Sequence, residues 1–149
     1  MPGSIRAGRV DALSRARSAP AAPAPSGNTE HLEWRRFLDE VSALGLQLLI
    51  TEFDVNDRHL PADIATRDAA VAAAARDYLD LTFSYPNLGD FLFWGLIDAD
   101  SWLQNWPGLA RDDGTPMRPA PYDNRYQAKR LREAAADAMR AMPPRAART

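Results

Sequence analysis

The stretch LQLLITEFDV, residues 46–55, decides how the rest of the chain is read. It is almost continuous apolar sequence, the signature of a parallel strand covered on both sides. Two acids interrupt it near the end, Glu52 and Asp54, two positions apart. In a strand, residues i and i+2 face the same way, so both carboxylates point to one side. They sit at the C-terminal end of the strand, where α/β folds build their sites. Ion pairing, or the capping of a loop, is the alternative use for the two acids.

The surrounding pattern supplies the fold class. Upstream, Asn28 and Thr29 are good helix caps. Trp34, Phe37, Leu38, Val41 and Leu44 then recur at the spacing of one helix face. Gly45 stands where a C-terminal cap belongs. Downstream, the polar loop NDRHLPAD leads into an Ala-rich stretch that predicts a helix over Ile64–Phe83, stopped near Pro86. DFLFWGLID, residues 90–98, predicts a second buried strand. Residues 99–123 read as one long loop, and loops of that length are functional or disordered. A last amphipathic helix is predicted over residues 124–142, ended by Pro143. Helix, strand, helix, strand, helix is the order of βα units on a parallel sheet, an α/β architecture.

Domain organisation follows from composition. Residues 1–27 hold few large apolar residues and three helix-breaking prolines, Pro20, Pro23 and Pro25, and are expected to be a disordered head. A transit-like segment is the other reading of this Arg-, Ser- and Ala-rich stretch. Residues 28–142 are the expected folded part, and residues 143–149 a loose tail.

Bulk properties exclude several function classes. The net charge of −2 gives no electrostatic case for nucleic acid or an anionic membrane as partner. With no cysteine, disulfides and thiolate metal sites are ruled out. His31 and His59 lack partners at metal-ligand spacing, so no metal or cofactor is expected. No apolar run approaches the roughly 18 residues of a membrane span, and no signal peptide is visible. Phosphate-loop, dinucleotide and nucleophile-elbow motifs are absent from the sequence. Lys129 is the only lysine; every other cationic side chain is arginine, which reads as a coding bias.

A second candidate constellation lies in FWGLIDADSWLQNW, residues 93–106, which holds Trp94, Trp102 and Trp106. Trp94 falls inside the predicted strand, where a core aromatic is the plain alternative. Trp102 and Trp106 share a loop with Asp100 and Asn105, just after Asp98. Aromatic faces among acids and amides suit a sugar, whose C–H faces stack while its hydroxyls hydrogen-bond. A small apolar core beneath the loop is the alternative. Asp112, Asp113 and Gly114 read as a turn.

Four segments in order, LGLQLLITEFDV, NDRHLPADIATRD, FLFWGLIDADSWL and YDNRYQAKRLREA, resemble the C-terminal part of glycoside hydrolase family 10 endo-1,4-β-xylanases. The resemblance implies a (β/α)8 barrel cutting xylan with retention of configuration, of which this chain would hold about the last two βα units. It implies Glu52 as nucleophile and Asp54 as an acid supporting it through a histidine on the preceding strand. It also implies Trp94 at the floor of the sugar site and Trp102 folded over the sugar. Tyr126 to Lys129 would open the last helix, with Ala128 and Arg130 where the family often has proline.

Departures from the family are as plain as the match. A complete barrel of this kind needs about 250 residues. The family's acid/base glutamate stands in an Asn-Glu pair, and no such pair occurs here. No histidine precedes the first helix, where APAPSGN stands. A retaining enzyme needs two carboxyl groups about 5–5.5 Å apart. The expectation is therefore a C-terminal fragment with little or no activity alone. A xylo-oligosaccharide-binding remnant, and a piece that associates with a missing N-terminal barrel half, are the alternative functions. Family members are usually secreted or periplasmic.

Overall fold

The computed structural model describes residues 27–106 and 108–144, with side chains from His31 onward. The expected head, apart from Gly27, and the last five residues of the expected tail lie outside the described residues. The element order is α1 (Gly27–Ala43), β1 (Leu48–Phe53), α2 (Ile64–Phe83), β2 (Leu88–Phe93), two single 3-10 turns (Asp98–Asp100 and Trp102–Gln104), and α3 (Arg130–Arg140).

Helix α1 ends as the sequence demands, in a Schellman turn. The Gly45 N–H bonds the Ser42 carbonyl, and the Leu46 N–H reaches back to that of Val41. Gly45 takes φ +67°, which a side chain would strain. Leu44 is the C-cap residue of this turn, so it leaves the apolar stripe and is 72% exposed. Of the predicted face, Leu38 is buried, Trp34 and Val41 are half-buried, and Phe37 joins Leu44 outside. The stripe is narrower than its periodicity suggests because one flank of α1 has no element against it among the described residues. Asn28 and Thr29 lie within the first turn, since the helix starts at Gly27.

Helix α2 spans the predicted residues. The Asp63 side chain caps it by accepting from the Thr66 N–H. Arg67, Val71, Ala75 and Leu79 form its buried stripe at intervals of four. Leu131, Ala135 and Ala138 form the matching stripe of α3. The alanines let these two helices pack closely on each other. Between them and the strands lies one core of Leu48, Ile50, Phe53, Val55, Leu81, Phe83 and Leu88.

β1 and β2 pair in parallel across the α2 crossover, as predicted. Among the described residues the sheet has these two strands and does not close on itself. The second strand differs from expectation. It ends at Phe93, only Leu88 is fully buried, and Trp94 lies one residue beyond it rather than inside. One face of β2 has no described element over it, which leaves Leu92 50% exposed.

The last helix also begins later than predicted, at Arg130. The Asp123 carboxylate accepts the backbone N–H groups of Arg125 and Gln127, an Asx-type turn that competes with helix formation. Tyr126 adopts φ +61°, and the Lys129 N–H bonds the Pro121 carbonyl. Residues 99–123 are no loose loop: besides the 3-10 turns they bury Leu103, Arg111, Met117, Pro119 and Pro121.

Candidate functional site

The site is built at the C-terminal edge of the two strands, and a pair of bulges shapes it. The pairing register runs Leu48 to Leu88, Ile50 to Phe91 and Phe53 to Phe93. An extra residue thus enters β2 first and β1 second. Strict alternation would place Glu52 and Asp54 on the same face as the buried Leu48 and Ile50. The bulge in β1 inverts the parity. Phe53 and Val55 now point into the core, while Glu52 and Asp54 turn away from it and are half-buried. An otherwise apolar strand can therefore end in two carboxylates without burying either.

The neighbouring strand brings the tryptophans to the same edge. The Trp94 N–H continues the pairing by donating to the Phe53 carbonyl at 2.9 Å. Trp94 is 48% exposed and is not part of the core of the described residues. Beyond it the chain turns through the two 3-10 turns, the second capped by Ser101, whose Oγ accepts from the Leu103 N–H. Within that turn, Trp102 Nε1 donates to Asp54 Oδ2 at 2.6 Å. This is a short bond to a carboxylate, of the charge-assisted kind. Trp106 meets Trp102 edge-on, with ring centroids 5.4 Å apart and planes at 79°. The apolar core under the loop does exist, but Leu103 and Met117 make it, and Trp106 stays exposed. The structure thus joins Asp54 to Trp102 directly, and sets Glu52 and Trp94 at adjacent strand ends.

Behind this edge stands a layer of buried charge that the sequence reading missed. Lys129 Nζ donates to Asp98 Oδ1 at 3.0 Å, to Asp98 Oδ2 at 3.1 Å, and to the carbonyls of Arg118 and Ala120 at 2.8 and 3.0 Å. Burial pushes the Asp98 carboxyl up and the Lys129 amine down, and the charge of each opposes the other's shift. Arg118 makes a two-pronged pair with Asp68 at 2.7 Å for both bonds. Its own N–H bonds the fully buried Asp57 at 3.0 and 3.1 Å. Burial also raises Asp57, against the pull of the Arg118 N–H and the charges of Arg67 and Arg111. One signal in the sequence marked this layer: the single lysine. A compact ammonium with three donors fits a carboxylate and two carbonyls, which a planar guanidinium does not.

Among the described residues no cluster of three or more metal-ligating side chains occurs, and no helix is long and apolar enough to cross a membrane. His31 and His59 are both exposed.

Comparison with known proteins places this geometry in context. The profile of glycosyl hydrolase family 10 matches residues 24–138. Xylanase 10B of Thermotoga maritima aligns with a TM-score of 0.64 at 24% identity, covering 74% of this chain and 32% of that one. Xylanase 10B of Thermotoga petrophila, solved with xylobiose, gives the same values. A xylanase 10C variant of Cellvibrio japonicus, solved with xylopentaose, aligns at 26% identity and a TM-score of 0.60, covering 76% of this chain and 25% of that one. Curated protein sequences give no match. The chain spans about a third of the length of the first solved xylanases it resembles. The fold is a portion of a parallel (β/α)8 barrel, present here as neighbouring βα units.

Proposed function

Because the chain belongs to glycosyl hydrolase family 10, we propose that it carries the nucleophile side of a retaining endo-1,4-β-xylanase site. Glu52 is the nucleophile. Its carboxylate attacks the anomeric carbon of a xylosyl unit, the bond to the leaving oxygen breaks, and a covalent glycosyl ester forms. Water then opens that ester, and two inversions return the original configuration. Asp54 is the supporting acid, and in this chain it accepts the Trp102 indole N–H. Trp94 and Trp102 supply aromatic surface for the sugar. The single observation that carries the reading is the bulge that turns Glu52 and Asp54 off the core, at the edge where Trp94 and Trp102 also arrive.

The proton for the leaving oxygen is the missing part. The sequence has no Asn-Glu pair to match the family's acid/base residue. Loss of general acid catalysis costs roughly 10²–10⁴-fold, so the 149-residue chain turns over xylan slowly or not at all. A substrate with a good leaving group needs no proton. A dinitrophenyl fluoro-xylobioside should therefore label the chain at Glu52, read as a mass increase on the peptide containing it, with no label in Glu52→Ala. A label on another residue, or no label at all, overturns the nucleophile assignment. If no label forms but tryptophan emission still responds to xylo-oligosaccharides, the chain is a non-catalytic sugar-binding module.

A second reading rests on the sheet itself. Leu92 and Leu96 are 50% and 61% exposed, and among the described residues each strand has a strand neighbour on one side only. These fit a chain that completes a barrel with a separately supplied N-terminal half.

A further inference from the structure

We propose that the buried Lys129–Asp98 pair is a positioning device that seats Trp102 against Asp54. The two ends of this device are far apart in sequence, and a continuous set of bonds joins them. Lys129 occupies the N-cap position of α3, yet its side chain makes no capping bond and turns inward instead. Its three N–H donors meet three acceptor groups: the Asp98 carboxylate and the carbonyls of Arg118 and Ala120. The Asp98 carboxylate also accepts the Ala120 N–H at 3.0 Å, with Arg118 Nη1 at 3.8 Å. Asp98 is thereby held on both oxygens.

From Asp98 the constraint passes along its own turn. The Asp98 carbonyl accepts the Ser101 N–H at 3.2 Å and Gln104 Nε2 at 2.8 Å. Gln104 closes the other end by donating to the Met117 carbonyl at 2.8 Å and accepting the Met117 N–H at 3.0 Å. Trp102 stands between these two fixed points. Leu103, the next residue, is buried beneath the turn, which leaves the indole directed to Asp54 Oδ2. The indole bond carries this network to Asp54. A brace serving only global stability would not need to terminate on a residue of the strand end.

Lys129 and Asp98 bond to each other and to backbone groups of the loop rather than to Glu52 or Asp54, so they act through Trp102. The test reads the indole N–H signals of the folded chain by ¹H–¹⁵N spectroscopy, with Trp102→Phe identifying the Trp102 signal. Trp34 serves as the internal reference, because its Nε1 donates to Thr82 Oγ1 at 2.9 Å, away from the loop. In Lys129→Met the Trp102 signal should move to the position of a solvent-bonded indole and exchange rapidly with water, while Trp34 is unchanged. Both signals unchanged overturns the proposal. If Lys129→Met also disturbs Trp34, Gln104→Leu decides, since it cuts the same path at the opposite end of the turn. Release of Trp102 alone supports the device, and an unmoved Trp102 refutes it.

A second readout rests on the proposed function. Lys129→Met and Trp102→Phe should each weaken xylotriose binding about tenfold, and the double variant no further, as for two residues acting as one. Additive losses overturn the coupling. Absence of xylotriose binding by the unmodified chain sinks the sugar reading and leaves the indole signal to judge the positioning role.

Discussion

Asp113 is solvent-facing, yet it is among the most constrained acids in the molecule. Its carboxylate pairs with Arg111 Nη2 at 2.6 Å and accepts the Thr115 N–H at 2.9 Å. The Arg111 bonds hold it far below the usual aspartate range, with Thr115 adding to the shift. The depressed folded value fixes the sign of its pH dependence. Its stabilisation is complete above the ordinary aspartate value of 3.8 and is lost as pH falls below it. Asp63 and Asp123 act the same way through their bonds to Thr66 and to the Gln127 and Arg125 N–H groups. Asp57 and Asp98, raised by burial, take up their protons above 3.8 and add nothing below it. The urea midpoint should therefore drop as pH falls below 3.8, and Asp113→Asn should flatten that dependence. An unchanged slope in the variant would show that Arg111 does not hold Asp113 in solution.

At the scale of elements, the contact between α1 and α2 turns on one hydroxyl. Thr82 is fully buried, accepts the Trp34 indole at 2.9 Å, and donates to the Tyr78 carbonyl at 2.7 Å. Trp34 also stacks on Tyr78, with centroids 5.2 Å apart. Thr82→Val keeps the shape and removes the acceptor, leaving the partly buried indole N–H unpaired. The expected loss is about 1–3 kcal/mol in urea unfolding, with the slope of the transition unchanged. A loss much smaller than this would mean that water replaces the hydroxyl at the indole. The same scale explains the late start of α3. Asp123 captures backbone N–H groups that an earlier helix would have used, and α3 begins only after Lys129 has turned its side chain inward.

For the molecule as a whole, the two-stranded sheet of the described residues is the dominant feature. Among the described residues each of the two parallel strands has a strand neighbour on one side only, beside the exposed Leu92, Trp94 and Leu96. Such edges are templates for pairing with another chain. Sedimentation should show concentration-dependent association of the 149-residue chain, reduced when Leu92→Lys places a charge on the exposed face of β2. A monodisperse monomer at every concentration would count against both the open edge as a pairing surface and the barrel-completion reading.

What the amino-acid sequence determined by itself were the features set by neighbours along the chain. Asp63 and the flanking prolines bound α2, Gly45 ends α1 in a left-handed turn, and the apolar run marks β1. The residues proposed for the site, Glu52, Asp54, Trp94 and Trp102, were legible as a pattern of acids and aromatics at strand ends. Tertiary structure decided the rest, because the causes lie across the fold. The parity switch at Glu52 comes from the register of β1 on β2, which no spacing within residues 46–55 encodes. Asp54 meets Trp102 across 48 positions, and Lys129 meets Asp98 across 31. A hydrogen bond needs donor and acceptor within about 3 Å, and only the folded backbone brings residues so far apart in sequence to that distance.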